Sequence, residues 1–259
     1  MKNKLLFLLL TAVALLLCAC TETEESLQTT EERPVETTEA ATSATIVPPH
    51  SLLFHPDYTA EQILEYFGEV VLDMEYASGA GNTALVQKWQ APIRYRFFGT
   101  PTEEDRAVLA ELFVQLNQIP GFPGIHEAAE GETEQLRISF LEPDLFRASY
   151  SDILGGEEAT GATQFWYYTD TNEIYSARIG YRTDIAQNIR NSVLIEEIIN
   201  TLGISDTVLR EDSITYQYSD DNTALSEVDR ILLALLYHPD IRCGMDGEAC
   251  ASVIRNLYY

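Results

Sequence analysis

Five residues in one short stretch, Glu196, Glu197, Asn200, Gly203 and Asp206, carry the spacing of a helix that activates a metal-bound water. In such a helix two ligands stand at i and i+4, and a carboxylic acid beside the first acts as general base. A glycine three residues after the second ligand turns the chain, and a third ligand follows three residues later. Here the ligand positions hold Glu196, Asn200 and Asp206, the base position holds Glu197, and the turn is Gly203. Zinc catalysis wants imidazole or thiolate ligands and one open position. Two carboxylates and an amide form an all-oxygen set, which suits Ca²⁺, Mg²⁺ or Mn²⁺ instead. Those harder ions acidify a bound water less than zinc, so Glu197 would have a poorer nucleophile to activate. Ordinary zinc chemistry is argued against, no cofactor is expected, and a hard divalent cation is permitted.

A plainer reading stands beside this one. Leu194, Ile195, Ile198 and Leu202 form the apolar stripe of the same helix, which leaves Glu196 and Asn200 together on its outer, polar side. Other chemistries find no footing. The chain has no Gly-x-Ser-x-Gly elbow, no Walker loop and no supported Cys–His pair, and Gly79 and Gly81 lack the strand-to-helix context of a phosphate cradle. A carboxylate pair for glycoside hydrolysis means little among 41 Asp and Glu residues. The formal charge of −25 argues against nucleic acid and anionic lipid as partners and permits divalent cations or basic ligands. The same acidity also keeps an exported protein soluble.

The N-terminus reads as an address. Lys2 and Lys4 precede an apolar run from Leu5 to Ala19 that is too short to span a bilayer and fits a signal peptide over residues 1–19. Its end, Leu17-Cys18-Ala19-Cys20, resembles a bacterial lipobox, with cleavage before Cys20 and a diacylglycerol on its sulfur. Residues 20–50 then form a Thr/Glu-rich tether with no aromatic residue, unable to offset its own ordering entropy. As a coil it reaches about 30 Å. The expectation is a lipid-anchored protein facing away from the cytoplasm, at the cell surface or in the periplasm, with one globular domain over residues 51–259. Cys243 and Cys250 remain after processing and suggest a disulfide pinning the C-terminal segment.

Periodicity supplies the elements that must position the site. Thr59 with Gln62 starts a helix running to Ala77, with Ile63, Phe67, Val70, Val71 and Met74 inward. A strand follows over Trp89 to Phe98, and Thr102 caps a helix from Glu103 to about Gln118 with Val108, Leu112 and Leu116 on one face. Leu136 to Leu141 alternates as a strand, and about residues 142–163 read as a surface excursion. Phe165–Thr169 and Ile174–Tyr181 form a hairpin about Asp170-Thr171-Asn172. The site helix runs from about Ser192 to Leu202, stopped by Gly203, and Ser226 caps a last helix from Glu227 to Tyr237, ended by Pro239. This order predicts an α/β (α+β) domain with a mixed, twisted sheet.

The segments after the site helix carry a resemblance. Ser213-Ile214-Thr215-Tyr216, then Leu225-Ser226-x-x-Asp229 and Leu235-Leu236-Tyr237, resemble the turn and following helix of metzincin metallopeptidases, with Thr215 at the methionine position. More closely, the chain resembles an uncharacterised family of exported bacterial proteins, domain of unknown function 2927. That family carries a Glu-Glu-x-x-Gln helix in a metzincin-like layout. The matching points are Lys88-Trp89-x-x-Pro92-Ile93, Glu196-Glu197-x-x-Asn200-x-x-Gly203-Ile204-x-Asp206, Asp212-Ser213-Ile214, Leu236-Tyr237-x-Pro239 and Gly244-Met245. Asn200 in place of Gln is a departure. The resemblance implies a zincin-like sheet and a groove walled by the site helix. Phe165-Trp166-Tyr167-Tyr168 would then lie on an antiparallel edge strand offering backbone pairing to an extended peptide. Two functions follow. One is a non-catalytic pseudopeptidase module that binds a peptide or cell-wall component. The other is a cation-dependent hydrolase with Glu197 as base and Glu196, Asn200 and Asp206 as ligands.

Overall fold

The computed structural model describes residue 53 and residues 57–72, 84–153 and 159–258. The signal segment, Cys20, the tether and Met74 lie outside these described residues. The elements in order are α1 (Ala60–Phe67), a π-helical turn (Gly68–Leu72), β1 (Lys88–Trp89), β2 (Ile93–Gly99), α2 (Glu103–Leu116) and β3 (Ile125–Glu127). There follow β4 (Leu136–Leu141), α3 (Pro143–Tyr150), β5 (Gly161–Tyr167), β6 (Glu173–Arg182), α4 (Gln187–Asn200), α5 (Glu227–Leu236) and α6 (Gly247–Tyr258). The class is α/β, with a mostly parallel six-stranded sheet.

Strand β6 organises that sheet. β5 runs antiparallel along one side of it, from Gly161 opposite Tyr181 to Tyr167 opposite Ile174. β4 runs parallel along the other side, and β2 and β3 extend the sheet beyond it, also parallel. β1 pairs Trp89 with Ile174, which already faces Tyr167 of β5, so β1 lies on β4's side of β6. Among the described residues β5 pairs with β6 alone, so it is an edge strand. Asn172, at φ 58°, makes the hairpin turn, a left-handed position that asparagine tolerates better than most residues.

Alternation along β6 sends Ala177, Ile179 and Tyr181 to one face, where Tyr181 Oη donates to the Leu194 carbonyl of α4 at 2.8 Å. The other face is covered by α3: Phe146 and Tyr150 pack with Ala162, and a side chain at Gly180 would run into the Tyr150 ring. The segment expected as a surface excursion thus contains a helix and the start of β5. Its Pro143 start and two buried aromatics were the available signals. From Ile231 to Leu236 α5 is buried on all sides, Leu233 and Ala234 as well as the expected stripe.

Three capping boxes form as the sequence indicates, Thr59 with Gln62, Thr102 with Asp105, and Ser226 with Asp229. Helix α4 has no side-chain cap and begins five residues before the expected Ser192. Its start is held by tertiary contacts instead. Arg190 bonds Asp105 of α2 at 2.9 Å, both groups buried, and also reaches the carbonyls of Thr183 and Ile185. The expected strand from Trp89 to Phe98 is split at Gln90–Pro92, where proline has no N–H to offer a ladder. Cys243 and Cys250, expected to bridge, are separate thiols here. Gln90 Nε2 reaches Cys243 Sγ at 3.4 Å, while Cys250 is buried on α6, where desolvation first and Asp246 second push its thiol up to about 11.

The dipeptide Lys88-Trp89 ties two helix ends together. Lys88 Nζ donates to the carbonyl of Leu236, at the end of α5, at 2.6 Å, and to that of Ile241 just beyond. Trp89 Nε1 donates to Thr201 O, at the end of α4, at 2.8 Å. Lys88→Met should leave two buried carbonyls unpaired and destabilise the domain by about 2–4 kcal/mol in urea unfolding. A loss below about 0.5 kcal/mol would show that these carbonyls find other donors.

Candidate functional site

The site lies where α4 passes under β5. At the end of α4, Gly203 takes φ 95°, and a Cβ there would collide with the carbonyl of Gln87 beside β1, so both conformation and clearance require glycine. The turn sends residues 204–208 back along α1. Ser205 N bonds the Val70 carbonyl at 2.7 Å, and the Glu69 carboxylate accepts from Val208 N at 2.9 Å and from Thr207 Oγ1. These acceptors sit in the π-helical turn that replaces the expected continuation of α1, and π-turns often mark functional places. From the other side Thr207 N bonds the carbonyl of Thr215 at 2.9 Å. Thr215 belongs to the Ser213–Tyr216 turn, which is fastened to the cap of α5. Asp229 accepts from Ser213 Oγ at 2.6 Å and Ile214 N at 3.1 Å, and Tyr66 Oη donates to Ser213 Oγ at 2.8 Å. Asp206 is therefore placed by α1, α4 and α5 together.

This framing brings Glu196, Asn200 and Asp206 into one cluster. Asn200 Nδ2 donates to Asp206 Oδ1 at 3.2 Å, and the Glu196 and Asp206 carboxyl groups are hydrogen-bonded to each other. Two carboxylates in such contact make it costly to ionise both. Glu196 is accordingly pushed well above the usual carboxylate range, first by burial and then by the charges of Asp206, Glu197 and Asp220. Asn200 Oδ1 is buried and finds no donor among the described residues.

Glu197 is placed differently. It is 9 % exposed and lies against Val193 and β5, where a side chain at Gly161 would collide with its Oε1. Thr163 Oγ1 of β5 donates to the Glu197 carbonyl at 3.0 Å, clamping helix to strand. Burial raises Glu197 to about 8, with Thr163 opposing the shift and Asp206 adding to it. At neutral pH it is mainly a neutral acid, able to donate a hydrogen bond and poor at taking a proton. Sequence reasoning missed Gly161, Thr163, Glu69, Val70 and Asp220, all brought in by long-range packing with no local signal. Among the described residues no group of three or more His, Cys, Asp and Glu side chains is arranged to hold a metal ion. The nearest oxygen set is Glu196 and Asp206 with the Asn200 amide.

Fold and site together define an α/β domain with a carboxyl–amide cluster at Glu196, Asn200 and Asp206 and a buried Glu197 between a helix and a sheet edge. The family model for a protein of unknown function (DUF2927) matches residues 60–256, and the chain belongs to this family. No curated protein matches it.

Glu197 has a signature in the pH dependence of stability. Its carboxyl titrates at about 8 in the folded chain against a reference of 4.5. Between these values the unfolded state binds fewer protons, so its contribution is present below 4.5 and is lost as pH rises through 8. Glu197→Gln should remove a slope of up to about 1.4 kcal/mol per pH unit, so that the variant gains on the wild type from pH 5 to pH 8. Urea unfolding across that range checks this, and a difference independent of pH would place Glu197 in water.

Proposed function

We propose that the domain is a non-catalytic, surface-tethered module that binds an extended peptide or wall component along β5 and α4, a degenerate metzincin-like groove kept for recognition. The observation that carries this reading is the edge strand. β5 offers an outer edge with no strand partner among the described residues, directly over the helix that bears the site. Extended chains add to such edges through backbone hydrogen bonds, and neighbouring side chains supply the selectivity. A Glu197 held neutral at physiological pH fits donation to a carbonyl better than abstraction of a proton. The lipid on Cys20 and the tether of residues 20–50 hold the module outside the cytoplasmic membrane in this reading. Cys20→Ala should release the protein from the membrane fraction and abolish incorporation of labelled palmitate. Retention with label would place the anchor elsewhere.

Incubating the mature chain with peptide libraries and purified wall fragments tests the main proposal. Retention of a ligand without cleavage is expected, with affinity only partly lost when Glu196, Glu197 and Asn200 become Ala. Robust hydrolysis by the wild type that disappears in Glu197→Gln would falsify it.

A second reading rests on the oxygen donors. Glu196, Asp206 and the Asn200 amide bring three oxygen-bearing side chains together, and the Asn200 Oδ1 finds no donor among the described residues. These residues fit a hard divalent cation, which would supply Lewis acidity to a bound water, and Glu197 above its titration point would take that water's proton. Protein purified without chelator should then hold stoichiometric metal and melt higher with added Ca²⁺ or Mn²⁺. Absence of both rejects the cation.

A further inference from the structure

The face of the sheet turned away from α4 carries a charge opposite to that of the chain. Alternation along β2, β4 and β6 directs Phe97, Ile138 and Ile179 toward the core and Arg96, Arg137 and Arg178 to the other side. These arginines are direct neighbours, because the parallel registers set Arg96 beside Arg137 and Arg137 beside Arg178. With strands about 4.8 Å apart, three like charges share a row roughly 10 Å long. Like charges opposite one another in a sheet are destabilising. A chain with 41 Asp and Glu against 16 Lys and Arg has acids enough to separate them, yet it lines up three cations.

The outer members of the row are held in place. Arg96 donates to the carbonyls of Ala129 and Glu132 at 3.1 and 2.8 Å. Arg178 donates to the Gln164 side chain, to the Ser149 carbonyl near the end of α3 and to Asp152. Arg137, between them, lies over the Phe98 ring at 3.4 Å from its centre. Glu134 approaches it only to 3.8 Å, beyond hydrogen-bond length, and reaches Arg96 at 3.5 Å. Among the described residues the Arg137 guanidinium therefore makes no hydrogen bond, and its side chain is 51 % exposed. Helix α3 covers Gly180 through the Tyr150 ring and ends there, which leaves the row open.

Beside the row stand three aromatic rings. Trp166 is on the same side, with the Arg178 guanidinium 5.8 Å from its ring centre. Tyr168, two positions further on, stacks on Tyr175 at 4.5 Å, and all three rings are exposed, between 39 and 52 %. Flat rings at a wet surface match the C–H faces of sugars, and guanidinium forks match carboxylates. An acidic peptide would use the arginines and leave the rings idle. A neutral glycan would use the rings and leave Arg137 without a partner. An acidic sugar polymer engages both.

We propose that this open sheet face binds an anionic polysaccharide whose sugar rings carry carboxylates, the acids on Arg96, Arg137 and Arg178 and the rings on Trp166, Tyr168 and Tyr175. The overall charge of −25 does not oppose this at close range. At physiological ionic strength exposed charges beyond about 8 Å are screened, whereas the row acts at contact. The surface is a face of the sheet, not its edge, so the inference stands apart from the strand-edge reading.

Fluorescence anisotropy on the mature chain in neutral detergent, with EDTA present, tests it. The probe is a labelled galacturonic acid decamer, compared with its methyl ester and with a labelled ten-residue glutamate peptide. The acid decamer should bind at least tenfold tighter than either. Arg137→Gln and Trp166→Ala should each weaken it at least fivefold. Arg255→Gln, an equal change of charge on an exposed helix residue, should alter it less than twofold. Thermal melting confirms that each variant is folded, and the comparison of the three probes on the wild type needs no variant. Equal binding of acid and ester overturns the arginine row. A glutamate peptide that binds as tightly as the decamer, or a Trp166→Ala variant without effect, overturns the sugar polymer. Equal losses at Arg137 and Arg255 assign the attraction to total charge and overturn the site, as does failure of the acid decamer to bind.

Discussion

The arrangement depends on a lysine placed where a lysine is costly. Lys88 is 4 % exposed with no ion-pair partner among the described residues, and burial lowers its ammonium to about 8. What compensates is the end of α5, where the carbonyls of Leu236 and Ile241 are otherwise unpaired and the helix dipole is negative. The Tyr237 ring lies 5.5 Å below the ammonium and adds its quadrupole. One residue later Trp89 does the same for α4 through Thr201, without charge. Two residues of β1 therefore fix the ends of both helices that frame the site. The axial position of α4 sets where Glu196 and Asn200 stand. The position of α5 sets Asp229, which fastens the Ser213–Tyr216 turn and through it Thr207 and Asp206.

Within that frame the fate of each carboxyl follows from its neighbours rather than from its depth. Asp105 is buried, yet hydrogen bonds from Gln187, Thr102 and Arg190 outweigh the desolvation and hold it below the usual range. Asp229 is met by four donors, but these are neutral hydroxyls and amides, and burial still lifts it. Glu196 is met by carboxylates and rises furthest in kind. Like charges add to desolvation where Arg190 cancels it. The three cases order themselves by whether a positive charge, neutral dipoles or negative charge faces the buried oxygen.

How much of this could be read from the residues varies with the range of the cause. The capping boxes at Thr59, Thr102 and Ser226, the stop at Gly203 and the turn about Asn172 are local chemistry, and each stands where its residues place it. The convergence of Glu196, Asn200 and Asp206 was legible for the same reason, since one helical turn and one glycine bring them together. The start of α4 was not, because Arg190 reaches across to Asp105, and no pattern around Ala186 marks a cap. The π-helical turn was invisible for a similar reason: Gly68–Leu72 keeps the apolar spacing of a helix while Val70 gives its carbonyl to Ser205. Glu197 is the sharpest case. Helical spacing put it on the flank of the polar side, and only the passage of Gly161 over it, from a segment read as surface loop, makes it a buried acid.

That burial bears differently on the two proposed readings. A general base must be ionised before it acts, and burial against β5 raises Glu197 to about 8 in spite of the opposing Thr163 hydrogen bond. A cation at Glu196 and Asp206 would lower Glu197 again through its charge, so in the hydrolase reading metal and base must arrive together. In the binding reading nothing further is needed. The neutral carboxyl is a donor beside a strand edge that offers its own amides and carbonyls. The same burial that weakens Glu197 as a base strengthens it as a fixed donor, since low polarity penalises an unmade hydrogen bond as much as a lone charge.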